Sequence, residues 1–436
     1  MHNSSPSPLR PEPSAPPPQR LSPHAQHPPS PRYIGVDIAR FLAITGMIAA
    51  HLVPKGSSPE HQQVVEIIQT VTSGTAAALF AVLGGLSMVF ATQRLRRDGR
   101  TGAAIGAIML RGVILIVIGL LLGLCVSPII VVLSYYGAAM ILVAPLIAVR
   151  SWIIGGVAIV LGTVGGLVNI QIRDALGVTS EGGSLTFDSF FTDPVGTLRA
   201  LVVTGEYPAI TWCVYLLVGV LLGRLLVSAA AANRLPRAST VLLSAGIVAA
   251  SAAQVCSSLA VTHLMSAEGI FPSTLEPDTI RMALTSPSFG ATFSPEAAVQ
   301  LVATPHSGTV VDLLWTVGLS AAVIGLLVLL CDALPGSRRA VEPIRAAGAA
   351  PLTIYCLHVV ATALLLGPFT GDPSAGADST PWWAVGLGAF GIQLAGALAL
   401  GAILAATRRR GPLEAMMSET VGRVVRRPHR SDHAVS

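Results

Sequence analysis

Charge is what this 436-residue chain has least of: Asp, Glu, Lys and Arg make up 11% of it, against 52% hydrophobic residues. Soluble domains carry about 25% charged residues, so this chain cannot clothe a soluble surface and is expected in a bilayer. Lysine is nearly missing, with Lys55 the only one among 27 basic residues. The net charge of +5 leaves no nucleic-acid footprint, because the basic residues sit in short loops between apolar runs rather than on one face. No nucleic-acid partner is expected. Cysteine is scarce too. Cys125, Cys213, Cys256, Cys331 and Cys356 lie in or at the ends of apolar runs without a CxxC pair. That argues against a disulfide framework or a zinc site and leaves small packing residues. The chain has no Walker loop, no GxSxG elbow and no HExxH. No histidine pair within the apolar runs has the spacing of two ligands on one helix, so no metal is expected. The glycine pairs Gly84-Gly85, Gly155-Gly156 and Gly165-Gly166 follow no strand and are expected at close helix crossings.

What the chain has in quantity is long apolar runs. Residues 1–31 come first, with eleven prolines, and are expected to form a disordered cytoplasmic tail. They lack the short apolar region and small-residue cleavage site of a signal peptide. Ten apolar runs follow, at roughly 33–53, 65–91, 104–125, 128–149, 152–170, 209–228, 239–265, 309–332, 346–367 and 382–406. Each approaches the roughly 20 residues that cross a bilayer core. Ser127-Pro128 divides the third run from the fourth, because the residue before a proline leaves the helical region. The expected fold is all-α: a polytopic membrane bundle of about ten helices over 32–407, followed by a basic cytoplasmic tail at 408–436.

Basic residues set the orientation. With the N-terminus inside, 22 basic residues fall on cytoplasmic segments, Arg94, Arg96, Arg97, Arg111 and Arg345 among them. Only Lys55, Arg173, Arg199 and Arg281 fall outside. Both termini are therefore expected in the cytoplasm. The outer loops, 171–208 and 266–308, are long, and short capped helices are expected after Asp193-Pro194 and after Ser294-Pro295-Glu296. Subtracting the spans leaves no soluble catalytic domain, so any chemistry must occur in the bundle.

The first run, RYIGVDIARFLAITGMIAAHLVP from Arg32 to Pro54, organises the rest. Ionisable groups inside a spanning helix are costly and are functional by default. Asp37 and Arg40 are one helical turn apart and can pair. Arg40 and His51 are eleven apart, about three turns, and share a face. Both are expected to meet one shared, water-lined hollow. Later runs bring Glu206, His263, His306, Asp312 and His358 to the same outer layer. Imidazole suits proton transfer near neutral pH. His51, His306 and His358 are the catalytic candidates, and Arg40 with Asp37 the binding candidates. His263 has a plain reading as a helix–helix hydrogen-bonding group, and Glu206 and Asp312 as carboxylates near water.

The opening segment resembles the first helix of transmembrane acyltransferases, a class that includes heparan-alpha-glucosaminide N-acetyltransferase and bacterial O-acyltransferases of cell-envelope sugars. GEYPAITWCVYLLVGVLLGR, TPHSGTVVDLLW, GAAPLTIYCLHVV and RRRGPLEAMM are similar to an uncharacterised bacterial branch close to the heparan enzyme. The resemblance spans roughly residues 32–420. It implies a bundle in a bacterial cytoplasmic membrane that takes an acetyl or other short acyl group from cytoplasmic acyl-CoA. The group would pass to an extracytoplasmic sugar or glycolipid acceptor. His51 would be the base or acyl carrier, Arg40 would hold the CoA end, and His306 and His358 would line the acceptor side. Arg94, Arg96 and Arg97 fit CoA phosphates as well as they fit topology. Membrane lipid, acyl-CoA and the glycan or glycolipid acceptor are the expected partners, and a homodimer is left open. The competing reading is a transporter or exporter of a small molecule or lipid-linked sugar, which predicts inverted repeats and broken helices. A non-catalytic scaffold would leave the aligned charges of the first run without a role.

Overall fold

The computed structural model describes residues 33–53, 62–178, 181, 183–266, 271, 275–292, 294, 296–334, 340–370 and 381–426. The expected tail at 1–31 lies outside the described residues. Among those described, every element is helical. The first half holds α1 (Ile34–Leu52), α2 (Gln62–Thr72), α3 (Thr75–Arg97), α4 (Thr101–Leu122), α5 (Leu133–Val143), α6 (Ser151–Leu176), α7 (Phe187–Thr192) and α8 (Pro194–Arg199). The second half holds α9 (Ala209–Ala231), α10 (Leu235–Ser266), α11 (Pro277–Thr285), α12 (Val310–Ala333), α13 (Glu342–Gly348), α14 (Pro351–Thr370), α15 (Gly386–Thr407) and α16 (Pro412–Arg426).

All ten expected runs are helical, and among the described residues eight are long and apolar enough to cross a membrane as single spans. The other two are not: the fourth run is a shorter apolar helix over Leu133–Ala148, and the ninth is bent. In the fourth run, Pro145 lacks the N–H that would continue the helix, and α5 tightens into a 3₁₀ turn over Ala144–Ala148. In the ninth, α13 and α14 meet at 79°, with Pro351 opening the second helix. The second run is also interrupted, at Ser73-Gly74, where Gly74 takes φ +76° at little steric cost.

Helix α1 packs against α2, α3, α12, α13, α14 and α15. It and the α2–α3 span are the most enclosed, 61% and 72% buried over their apolar windows, against 17% for α6. Glycine lets the backbones approach: a Cβ on Gly35 would run into Leu327, one on Gly348 into the Asp37 carbonyl, and one on Gly85 into Leu216. Gly166 abuts Gln300 and Gly308, whereas Gly155, Gly156 and Gly165 face open space. The close-crossing expectation therefore fails for those three, because they sit on the most exposed span.

The long loops carry short helices. Asp193 caps α8, its Oδ1 accepting from the Gly196 N–H at 2.8 Å, with Pro194 at the first helical position. A 3₁₀ turn over Ala297–Leu301 follows Glu296 without a side-chain cap, and Pro295 lies outside the described residues. Arg173, expected as an outer-loop residue, is instead buried near the end of α6. It donates to Asn169 Oδ1 at 2.7 Å and to the Gly205 carbonyl at 2.8 Å, fastening the segment that carries Tyr207. The basic tail expected from 408 holds α16, which packs on α4 and α14.

Candidate active site

Two cavities open along α1, one at each end. The residues expected to share a single hollow are divided between them.

At the beginning of α1, Arg40 donates to Asp37 Oδ1 at 2.5 Å and to Ser87 Oγ on α3 at 2.8 Å. Asp37 also meets Arg345 of α13 at 3.5 Å, and Arg345 in turn pairs with Glu342. Two acidic and two basic groups thus balance there, and they fix the Arg40 rotamer. Arg40 then lines a cavity of about 160 Å³ with Tyr136, Arg111 and Glu414. Arg111 was expected among the basic loop residues. It lies halfway along α4 instead, and its buried Nε has no partner among the described residues. A buried guanidinium N–H without an acceptor is free to donate to an oxygen that enters the cavity. Arg94, Arg96 and Arg97 sit at the end of α3 and do not line this cavity.

At the far end of α1, roughly 16 Å away along the axis, His51 lines a cavity of about 130 Å³ together with Gln69, Tyr207, His306 and Tyr355. His51 Nδ1 lies 3.0 Å from Nε2 of the buried His358 on α14. The two rings are parallel within 1°. His358 Nδ1 lies 2.6 Å from Gln393 Oε1 on α15, and Gln393 Nε2 donates to Thr362 at 3.1 Å. The orientation of the Gln393 amide, with its carbonyl toward His358, sets the tautomers of both rings. The Gln393 carbonyl only accepts, so His358 carries its proton on Nδ1 and accepts through Nε2. His51 therefore donates from Nδ1. Its Nε2 keeps a lone pair, with no partner among the described residues.

His306 faces the same cavity from the loop before α12. Its Nε2 accepts from the Gly74 N–H at 3.1 Å, its ring stacks on Phe289 with centroids 4.7 Å apart, and Tyr207 meets it edge-on. Burial pushes its pKa down to about 4. It takes φ +64°, in the left-handed region that few non-glycine residues occupy.

The structure thus brings His51 and His306 to one cavity, while His358 backs His51 and does not line it. Asp312 adjoins them: Oδ2 accepts from the Gly308 N–H at 3.2 Å, and buried Oδ1 has no partner among the described residues. His263 is exposed on α10 and takes no part. Glu206 stays half-buried beside the cavity, while its neighbour Tyr207 lines it. Gln393, Gln69 and Tyr207 were missed, since a neutral amide or phenol in an apolar run carries no distinguishing pattern. Among the described residues, no group of three or more His, Cys, Asp or Glu converges as for a metal ion.

Comparison with known proteins divides the chain in two. The family model for Heparan-alpha-glucosaminide N-acetyltransferase, catalytic, matches residues 32–254, just over half of the chain. A second model, Protein of unknown function (DUF418), matches residues 279–422. No curated protein matches the chain. The His51–His358 hydrogen bond joins the two matched segments.

Proposed function

The chain belongs to the heparan-alpha-glucosaminide N-acetyltransferase catalytic family, a family of membrane acetyltransferases, and we propose that it carries a short acyl group across the bundle between its two cavities. The donor is acyl-CoA from the cytoplasm, acetyl-CoA in the simplest case, with its anionic part held near Arg40 and Arg111. The acceptor is an extracytoplasmic sugar or glycolipid presented at the His51 cavity. The protein sits in the cytoplasmic membrane of a bacterium with both termini inside, as the split of its basic residues favours.

The observation that carries this reading is the relay from Gln393 through His358 to His51. With the Gln393 carbonyl toward His358, it sets the His51 proton on Nδ1 and leaves Nε2 as the nitrogen that can take a proton. A second group thus orients the base, the arrangement general-base catalysis needs. His51 Nε2 takes the proton of an acceptor hydroxyl or amine. That oxygen or nitrogen bonds to the thioester carbonyl carbon, the C–S bond breaks, and CoA leaves as a thiolate that is protonated from water. The same lone pair would take the acyl group first if transfer ran through an acyl-imidazole; ping-pong kinetics separates the two routes.

A broken span such as α13–α14 is also a transporter feature. Here the opening of α14 is occupied by Glu414, which accepts from the Leu352 and Thr353 N–H groups at 2.7 and 3.1 Å. That end is filled by the chain itself, which favours transfer over transport. The test is labelled acyl transfer from acetyl-CoA by purified protein in nanodiscs. His51→Ala should abolish it and Arg40→Ala should weaken donor binding. Full transfer by both variants would overturn the reading.

A further inference from the structure

A third cavity, of about 440 Å³, runs along the outside of the bundle between α1, the α2–α3 span, α12 and α15. Its walls are aliphatic. Leu42, Ile67 and Val71 at its rim are 46%, 63% and 58% exposed, so in a bilayer it opens sideways to lipid. Its hydroxyls are spent within their own helices: Thr45 donates to the Phe41 carbonyl, Thr72 to that of Ile68 and Ser320 to that of Thr316. The groove therefore offers an occupant no free donor, and it suits an alkyl chain rather than a polar molecule.

Its position gives it a purpose. Thr72 lines both this groove and the His51 cavity. On α1, Gly46 and Ala49 face the groove, while Met47, Ala50 and His51 face the cavity. One turn of helix separates a dry, lipid-open slot from a compartment lined by two imidazoles, an amide and two phenols. The two compartments adjoin at Thr72, and an apolar groove beside a polar chamber matches the two parts of an amphiphile.

We infer that the acceptor is lipid-anchored: it enters sideways from the bilayer, lays its alkyl chain in the α1–α2–α12 groove, and so presents its hydroxyl or amine to His51. This rests on the reading of His51 as the acceptor-side base. It narrows the acceptor from any extracytoplasmic glycan to a glycolipid.

Two measurements separate this inference from the reading beneath it. In the first, nanodisc-embedded protein acetylates either glucosamine or its dodecyl glycoside, and the ratio of the two kcat/KM values is compared between wild type and variants. Val71→Trp and Val323→Trp place bulk in the groove from lipid-facing positions. Each should cut the dodecyl-to-soluble ratio at least fivefold, an effect that simple partitioning of the glycoside into the bilayer does not mimic. A ratio untouched by both substitutions overturns the inference and leaves acyl transfer standing. In the second, which needs no turnover, a dodecyl glucosaminide with a terminal diazirine is photolysed on the protein. Crosslinks concentrated on residues 67–79 and 319–323, competed by unlabelled dodecyl glucosaminide, support it. Crosslinks spread over the whole lipid-facing surface, or equal labelling of the groove by a diazirine phospholipid, overturn it.

Discussion

At the scale of single residues, a buried imidazole is defined by what its second nitrogen meets. His51 and His358 stand on helices 307 positions apart in sequence, so no spacing rule could couple them, and Gln393 has no charge to betray it. The Arg40–Asp37 pair was legible because both residues lie on one helix one turn apart. Arg111 was misread because an arginine near a run of loop arginines looks topological until its depth in α4 is known. Gln393→Leu removes the acceptor for His358 and lets the relay take the wrong tautomer. The expected loss in kcat is smaller than the roughly 10⁴-fold drop that follows loss of a charged group behind a catalytic histidine, with KM for acyl-CoA unchanged. Gln393→Glu, which keeps an acceptor in place, should retain most of the rate. His306 gives a pH signature. Its folded pKa of about 4 lies below the ordinary 6.5 or so, so the unfolded chain takes up a proton that the folded chain refuses. Stability is full above about pH 6.5 and is lost as pH falls toward 4, by roughly 1–3 kcal/mol after allowing for solvent screening. Thermal unfolding in detergent between pH 4 and 8 should show that slope, and His306→Gln, whose carbonyl can still accept from Gly74, should flatten it. His51, Tyr207 and Asp312 face His306 from α1, the 200–208 segment and α12, so the His51→Ala background is the control for coupled titration.

At the scale of elements, apolar length announced the spans and proline announced where they fail to be straight. The angle between α13 and α14 was not readable, because it depends on what replaces the hydrogen bonds missing at Pro351. Glu414 supplies that replacement from the other end of the chain: three hydrogen bonds, to Leu352 N–H, Thr353 N–H and the Thr353 hydroxyl, cap α14 and anchor α16 in one stroke. The same carboxylate lines the cavity that holds Arg40 and Arg111. Glu414→Ala should cost about 1–3 kcal/mol, the range for a lost cap bearing charged hydrogen bonds. It should also free α16. Trypsin would then cut at Arg408–Arg410 in the variant faster than in wild type, alongside a lowered unfolding temperature. An unchanged cleavage rate would mean that α16 is held by its apolar face alone.

At the scale of the whole molecule, a two-cavity enzyme works only if each cavity opens on the right compartment. The family match and the span count make this a multi-pass membrane protein, but the facing of the bundle rests on the division of basic residues, 21 to 3 once Arg111 in α4 and Arg173 in α6 are set aside. The chain carries its own reporter of that facing. Lys55 is the only lysine in the sequence, and it follows the His51 end of α1, which closes at Leu52. The proposed orientation puts it outside. A membrane-impermeant amine reagent applied to intact cells should label Lys55 and spare the N-terminal amine. In inverted vesicles the pattern should reverse, with peptide mass spectrometry distinguishing the two sites and Lys55→Arg as the blank. Should Lys55 react only in inverted vesicles, His51 would face the CoA pool and Arg111 the exterior. The cavity of Arg40 and Arg111 would then lie on the side of the membrane where no acyl-CoA is made, and the proposed assignment of donor and acceptor to the two cavities would fall.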